Sequence, residues 1–165
     1  MKNINFFYSR KAFSLIELLV VVILIALLAG LAMPNLIKGR TYLELKQTAK
    51  DIAYLMQYAQ QRSVLDNREY QIQFDSSAKQ YWLMVEVPSD DAVVQEKEFK
   101  RFTGRMGKTS AIPLSVAFKV EEKIVCFYPS GLMDKVQIDL TDQKNKIVVS
   151  TKEQRGSVYV YEVEE

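Results

Sequence analysis

Histidine is absent from the 165-residue sequence, and cysteine occurs once, as Cys126. The lack of histidine removes the commonest general base and the commonest metal ligand of proteins. A single cysteine excludes an intrachain disulfide. Because Cys126 lies in the apolar run 124–128, we expect a buried small hydrophobic residue there rather than a nucleophile.

Motifs of catalytic and cofactor sites are also missing. The sequence has no glycine-rich phosphate loop, no cysteine pair with metal-binding spacing and no serine–histidine arrangement. The acidic pairs Asp90–Asp91 and Glu96–Glu98 are interpreted as solvated surface, because no other chemical group converges on them. We therefore predict no catalytic residue, no metal and no cofactor, and we do not expect an enzyme.

The net charge of +2 is small, and its distribution is more informative than its size. Lys2, Arg10 and Lys11 precede an apolar block at 13–33, in which Glu17 is the only charged residue. From Pro34 onward lie 19 of the 22 basic and 19 of the 20 acidic residues, so this part is neutral. A neutral domain lacks the electrostatic footprint of a nucleic-acid-binding protein, and nucleic acid is not an expected partner.

The apolar block is long enough to cross a membrane as a helix. Its 21 residues would span about 31 Å, against about 30 Å for the hydrocarbon core of a bilayer. The basic residues before it predict a cytoplasmic N-terminus and an exported remainder. A cleaved secretory signal with a site at Gly30-Leu31-Ala32, an uncleaved signal anchor and a polymerisation helix are the three interpretations.

Glu17 distinguishes these interpretations. A charged side chain at the centre of a membrane helix costs about 2.5–3.5 kcal/mol on insertion scales. A signal peptide or a simple anchor gains nothing from that cost. Glu17 therefore indicates a function in which the carboxylate meets a cation.

The stretch Lys11-Ala12-Phe13-Ser14-Leu15-Ile16-Glu17, with the apolar residues that follow it, resembles the type IV prepilin family. This resemblance implies that a prepilin peptidase cuts between Ala12 and Phe13 and that the new amine of Phe13 is methylated. The mature chain would have 153 residues, with Glu17 as the fifth. Ala12 stands where the family usually has glycine, and its side chain is also small.

The resemblance also implies a partner for Glu17. The carboxylate of an incoming subunit would pair with the positively charged Phe13 amine of its neighbour. An ion pair at low dielectric is strongly attractive, and an unpaired Glu17 would be costly. This pairing would set the register of assembly.

Beyond the block, Pro34 marks a kink or a boundary in the helix, because proline lacks an N–H. Leu36 and Ile37 are expected to contribute to contacts between subunits. The pattern then becomes amphipathic, and we expect this helix to end between residues 63 and 67 and to pack one face on a sheet. The residues of that face are Leu45, Ala49, Ile52, Met56 and Ala59.

The apolar period changes to two after Arg68, which predicts a mostly antiparallel β domain. The polar connection 75–79 predicts a hairpin between the first two runs, and turns are expected at 121–122, 129–131 and 141–145. The runs are Tyr70, Ile72 and Phe74; Tyr81, Leu83, Val85 and Val87; Leu114, Val116, Phe118 and Val120; and residues 124–128, 136–140, 147–150 and 158–163.

The end of the sequence is similar to the GspH/FimT group of minor pseudopilins and minor pilins. The similarity lies in Phe127-Tyr128-Pro129-Ser130-Gly131, in the strand 136–140 and in the glycine-led segment 155–160. The predicted fold is α+β and pilin-like, with a long N-terminal transmembrane helix that continues as an amphipathic helix on the β domain. The predicted parts are a leader (1–12), a transmembrane and polymerisation helix (13–34), an amphipathic helix (35–67) and a periplasmic β domain (68–165).

The segment 97–108 is basic and has little apolar pattern. We interpret it as a solvated loop or as an edge strand whose lysines prevent edge pairing. A patch for a partner subunit, an acidic substrate or DNA is the alternative. The acidic end 162–165 would repel phosphate, so DNA binding is not favoured.

The sequence thus predicts a minor pseudopilin of a type II secretion pseudopilus, which acts in protein secretion. It would be a single-pass protein of the bacterial inner membrane with a periplasmic C-terminal domain. Its partners would be other pilin or pseudopilin subunits and the prepilin peptidase that also methylates the new N-terminus. A minor pilin of a type IV pilus, or a signal-anchored periplasmic binding domain that does not polymerise, is the alternative.

Overall fold

The structure is a computed structural model that describes residues 14–87, 97–153 and 156–163, without the side chains of residues 31–39. The chain forms two compact units, Met1–Gly39 and Arg40–Glu165. The predicted cleavage residues Ala12 and Phe13 lie outside the described residues. The same is true of Asp90, Asp91 and Glu96.

The first element is the helix α1, which runs from Leu15 to Asp66. It is followed by Asn67, whose φ of 51° places it in the left-handed region. Asparagine tolerates this conformation better than most residues, and it commonly stands just after a helix. The N–H of Arg68 then donates to the Ser63 carbonyl at 3.2 Å. The predicted end between residues 63 and 67 is confirmed.

Within the second unit, α1 buries one face. The five residues of the predicted apolar stripe, from Leu45 to Ala59, are fully buried. Polar residues on the other side of the helix, such as Lys50 and Gln57, are exposed. The stripe is therefore the core face of this part of α1, as the helical spacing predicts.

The chain continues in β1 (Tyr70–Asp75) and β2 (Gln80–Val87), which form an antiparallel hairpin with Tyr70 opposite Val85. The side chain of Asp75 accepts hydrogen bonds from the N–H groups of Ser77 and Ala78, both at 2.9 Å. This arrangement fixes the turn, as aspartate often does. The predicted hairpin is confirmed.

The remaining strands complete two antiparallel sheets. The first sheet has the order β3-β2-β1-β6, with β4 also paired to β2, and the second has the order β5-β7-β8-β9. A 3-10 helix, Arg105–Gly107, lies between β3 and β4. The strands are β3 (Glu98–Arg101), β4 (Ser110–Ala111), β5 (Ala117–Val120), β6 (Ile124–Phe127), β7 (Gln137–Thr141), β8 (Lys146–Ser150) and β9 (Tyr159–Val163).

The core of the second unit lies between α1 and the inner faces of the two sheets. The first sheet contributes Ile72, Leu83 and Phe127, all fully buried. The second contributes Ile138 and Leu140, which alternate with half-buried polar residues along β7. The α+β architecture, with an N-terminal helix and antiparallel sheets, is therefore as predicted.

Two predictions from the strand pattern are wrong in detail. The run that begins at Leu114 starts in a turn instead, and β5 begins only at Ala117. Leu114 is 90% exposed, so its place in the alternation is accidental. Cys126 is half-buried rather than buried, because the alternation along β6 directs Val125 and Phe127 into the core and Cys126 to the opposite face.

Candidate functional site

The first turn of α1 is capped by Ser14. The N–H of Glu17 donates to the Ser14 hydroxyl oxygen at 3.3 Å and to the Ser14 carbonyl at 3.1 Å. Glu17 therefore occupies the third helical position after its cap, the acidic position of a capping box. A carboxylate in this first turn also interacts favourably with the partial positive charge of the helix terminus. The sequence interpretation missed this local role, although the spacing Ser-x-x-Glu signals it.

The residues after this cap form an apolar surface, which we call the apolar segment (residues 15–28). Twelve large apolar side chains of this segment are between 42% and 87% exposed. They lie on all sides of the helix, since they occupy nearly every position from Leu15 to Leu28. A helix that is apolar all round is normally covered by lipid or by protein.

The four predicted site residues are described to different extents. Glu17 is described with its exposed side chain, Pro34 lies within α1, and Ala12 and Phe13 are outside the described residues. The assignment of cleavage, methylation and assembly to these four residues stays a prediction. Among the described residues, no helix combines the length and the hydropathy needed to cross a membrane.

At its other end, α1 is joined to two loops of the β domain through Gln60. The side-chain amide of Gln60 donates to the carbonyl of Gly131 at 2.7 Å and to that of Gly156 at 2.8 Å. The hydroxyl of Ser63, which is fully buried, reaches the Tyr128 carbonyl at 2.9 Å. Polar side chains near the end of α1 thus satisfy carbonyls of the turn 128–131 and of the segment that leads into β9.

Both glycines at this junction adopt backbone conformations that favour a residue without a side chain. Gly131 has φ 81° and Gly156 has φ 79°, a region that other residues adopt at a cost. A Cβ atom on Gly156 would also lie 3.3 Å from both the Gln60 nitrogen and the Gly131 carbonyl oxygen. The two glycines that carry the similarity to the GspH/FimT group therefore meet at one polar contact with α1.

Comparisons with known proteins find a family motif at the N-terminus and a relative that matches part of the chain. A family model described as the prokaryotic N-terminal methylation motif matches residues 8–33. Type II secretion system protein H of Pseudomonas aeruginosa is 39% identical over 72 residues, which cover 44% of this chain and 42% of that protein. The chain is therefore similar to prepilins at its N-terminus and to a type II secretion system protein H over 72 residues. The match spans less than half the length of that relative.

Solved structures share the fold of this chain. The minor pseudopilin EpsH from the type 2 secretion system of Vibrio cholerae aligns with a TM-score of 0.59 and 10% identity, over 72% of this chain and 97% of that one. The type IV minor pilin FimU of Pseudomonas aeruginosa aligns with a TM-score of 0.52 and 17% identity, over 73% and 90%. At these identities the alignments show a common fold.

A second polar cluster lies where α1 enters the β domain. Glu44 accepts a hydrogen bond from the Ser115 hydroxyl at 2.6 Å and pairs with Arg40 at 3.0 Å. Ser115 first, and then Arg40, hold the pKa of Glu44 below its usual value. Nearby along α1, the hydroxyl of Tyr42 donates to the Glu162 carboxylate at 3.0 Å and so joins the helix to β9.

The basic segment 97–108 contains the edge strand β3, as predicted. Several of its charges have local partners: Lys97 pairs with Glu69, and Lys100 lies 3.2 Å from Glu98. The hydrogen bond to Glu69 raises the pKa of Lys97. Arg101 lies over the Trp82 ring, 5.0 Å from its centroid. These contacts favour the interpretation as a charged, protected edge over a phosphate-binding surface.

Cys126 has the properties of an inert thiol. Burial, and then the nearby Asp134 carboxylate, raise the pKa of Cys126 to about 11, so the thiol is protonated at neutral pH. Its backbone N–H donates to the Asp134 side chain at 2.9 Å. Among the described residues, no group of three or more cysteine, aspartate or glutamate side chains could hold a metal ion.

The contact between Gln60 and the two glycines gives a test of how the β domain is held on α1. We expect Gln60→Ala to lower the free energy of unfolding by about 1–3 kcal/mol, since it leaves two part-buried carbonyls without their donor. Gln61→Ala removes an exposed neighbour of the same type and should change it by no more than about 0.5 kcal/mol. Urea unfolding of the two purified variants measures this difference, and equal midpoints would contradict the assigned role of Gln60.

Proposed function

We propose that the chain is a structural minor pseudopilin that assembles through α1 into a type II secretion pseudopilus and acts in protein secretion. The observation that carries this proposal is the apolar segment, which is exposed on all sides and lies inside the matched methylation motif. Leaving its side chains in water costs on the order of 10 kcal/mol. The segment must therefore be covered, first by lipid and then by equivalent helices of other subunits.

The processing of the N-terminus follows from the same motif. A prepilin peptidase removes residues 1–12 and methylates the amine of Phe13. Glu17 of an incoming subunit then meets that amine on a neighbour. Pro34 marks the end of the membrane segment, and residues 35–67 continue toward the β domain of residues 68–165.

The chain would be a single-pass protein of the bacterial inner membrane. Its N-terminus would start in the cytoplasm, and its β domain would lie in the periplasm until the subunit enters the filament. Its partners would be other pseudopilin or pilin subunits and the prepilin peptidase. It would perform no chemistry itself, in line with the structural subunits that it resembles.

A minor pilin of a type IV pilus is the second candidate. The structural similarity to FimU favours it, because the TM-scores of the alignments to FimU and to EpsH differ little. The two candidates share the processing and assembly steps. They differ in the filament that receives the subunit, and expression of the tagged chain in cells with only one of the two systems distinguishes them.

Intact mass of the protein extracted from membranes tests the proposal. We expect the mass to correspond to residues 13–165 with one methyl group, in cells with an active prepilin peptidase. Cells without the peptidase are the control and should retain the full leader. A leader that persists when the peptidase is active would instead favour a signal-anchored domain that does not polymerise.

A further inference from the structure

The outer face of the first sheet carries the single tryptophan of the chain, Trp82. Along β2 it alternates with the buried residues Tyr81 and Leu83, so its side chain lies on the face away from the core. The strand register places Gln73 of β1 opposite Trp82, and Ile124 of β6 opposite Gln73. Three side chains from three neighbouring strands therefore lie in one row on this face.

A cleft of about 470 Å³ opens beside this row. Its volume is within the range of small-molecule sites in proteins, about 300–1,000 Å³. The row lines the cleft together with Phe74, the turn 75–77 and Lys123. Its two ionic side chains, Asp75 and Lys123, have opposite charges, so the cleft favours a neutral ligand.

The walls of the cleft are fixed by contacts outside it. The guanidinium of Arg101 lies 5.0 Å from the centroid of the Trp82 ring, and it donates to the Thr109 hydroxyl at 2.9 Å. Arg101 lies on β3, and no residue of β3 is among the described residues that line the cleft. The Asp75 side chain fixes the turn on the other side. A site with fixed walls loses little conformational entropy when a ligand binds.

Neutral polar groups at the cleft are available to a ligand. Within the described part of the chain, the side-chain amide of Gln73, the indole N–H of Trp82 and the hydroxyls of Ser76 and Ser77 have no hydrogen-bond partner. The amide and the hydroxyls can both donate and accept hydrogen bonds, and the indole can donate one. Ile124, which is 47% exposed, adds an apolar contact next to them.

A sugar ring matches this combination of groups. The faces of a pyranose carry C–H groups, which pack on the electron-rich face of an indole, and its edges carry hydroxyls. An acetamido substituent adds an amide, with which the Gln73 amide can both donate and accept, and a methyl group that Ile124 can contact. An extended peptide fits less well, because β1 and β2 both have neighbours on each side and offer it no free backbone groups.

We propose that this cleft binds a neutral N-acetylated glycan, with one sugar ring stacked on Trp82 and its acetamido group held by Gln73. The inference goes beyond the proposed function and does not depend on it, because every residue involved lies in the second unit. The site would give the subunit a polysaccharide contact in addition to its protein partners.

Titration of the intrinsic fluorescence tests this proposal, since Trp82 is the sole tryptophan and its emission reports on the cleft alone. The full chain is kept in a detergent without a sugar headgroup, which would compete for the site. The tetramer of β-1,4-linked N-acetylglucosamine should give a saturable change in emission, and maltotetraose, which lacks acetamido groups, should bind at least about tenfold more weakly. No saturable change with the N-acetylated tetramer would overturn the proposal. Equal affinities for the two tetramers would refute the recognition of the acetamido group.

Two glutamine variants locate the site on the sheet. Gln73→Ala should raise the Kd for the N-acetylated tetramer about tenfold, because the amide of the ligand loses its partner. Gln71→Ala is the matched control: Gln71 lies on the same face of β1, opposite Met84, and outside the described lining of the cleft. It should change the Kd by less than about twofold. Equal weakening by both variants would show that the sugar binds elsewhere. Unchanged thermal unfolding of each variant verifies that the fold is retained.

Discussion

Filaments from cells that express Glu17→Gln are expected to contain roughly a hundredfold less of this subunit than filaments with the unaltered chain. An unpaired carboxylate in the membrane costs about 2.5–3.5 kcal/mol, and under the proposed pairing assembly would relieve this cost when Glu17 meets the Phe13 amine of a neighbour. Glutamine carries no charge and gains no such relief, so the assembly constant falls by about two orders of magnitude. Quantitative immunoblotting of sheared filaments against membrane-retained protein measures the loss.

The choice of glutamine separates two roles of Glu17. Glutamine satisfies a capping box as glutamate does, so the start of α1 should be preserved. Ser14→Ala is the complementary control, because it removes the cap and costs about 0.5–2 kcal/mol of helix stability while it keeps the acid. Normal incorporation of Glu17→Gln would refute the pairing. A comparable loss with Ser14→Ala would mean that helix capping, rather than charge, is what assembly needs.

Ala12→Leu is expected to leave most of the protein with its leader still attached. The amount of uncleaved protein should be at least tenfold larger than for the unaltered chain. In the prepilin family that the sequence resembles, the leader ends in a small residue, and leucine adds three carbon atoms at the predicted position. An uncleaved chain has no free amine at Phe13, so filament incorporation should fall together with cleavage. Pulse-chase labelling followed by intact mass measurement detects both forms.

Ala12→Gly is the matched control for this prediction. It restores the residue that the family usually has, and cleavage should be at least as fast as with alanine. Equal processing of the leucine and glycine variants would place the cleavage site elsewhere in the N-terminal segment. Such a result would also remove Glu17 from the fifth position of the mature chain.

Periodicity in the sequence predicts most of the fold because each element buries one face. The spacing of Leu45, Ala49 and Ile52 can satisfy only a helix, and the alternation at Tyr70, Ile72 and Phe74 only a strand, so both were identified correctly. The assignment of strands to sheets was not predictable in this way. The strands β5 and β6 are consecutive in the sequence but lie in different sheets. A local pattern of apolar residues carries no information about the sheet that a strand joins.

The predictions from the sequence failed where a local pattern of residues competes with a tertiary contact. Leu114 continues an alternating run in the sequence, but the ammonium of Lys79 binds the carbonyls around it and holds a turn instead. Gln60 was not singled out, since a glutamine on a helix usually faces solvent. Its importance depends on two carbonyls that lie 71 and 96 residues away in the sequence. The glycines in those loops indicated that another part of the chain comes close to the backbone there, but they did not identify that part as Gln60.

The hydrogen bonds from α1 to the C-terminal strand have a consequence for the biogenesis of the protein. Tyr42 and Gln60 leave the ribosome long before their acceptors in Glu162 and Gly156 are synthesised. These donors of the helix therefore remain in water until β9 has been synthesised. The β domain can therefore complete its contacts with α1 only once Gly156 and β9 are present, and a chain truncated before them would lack both hydrogen bonds.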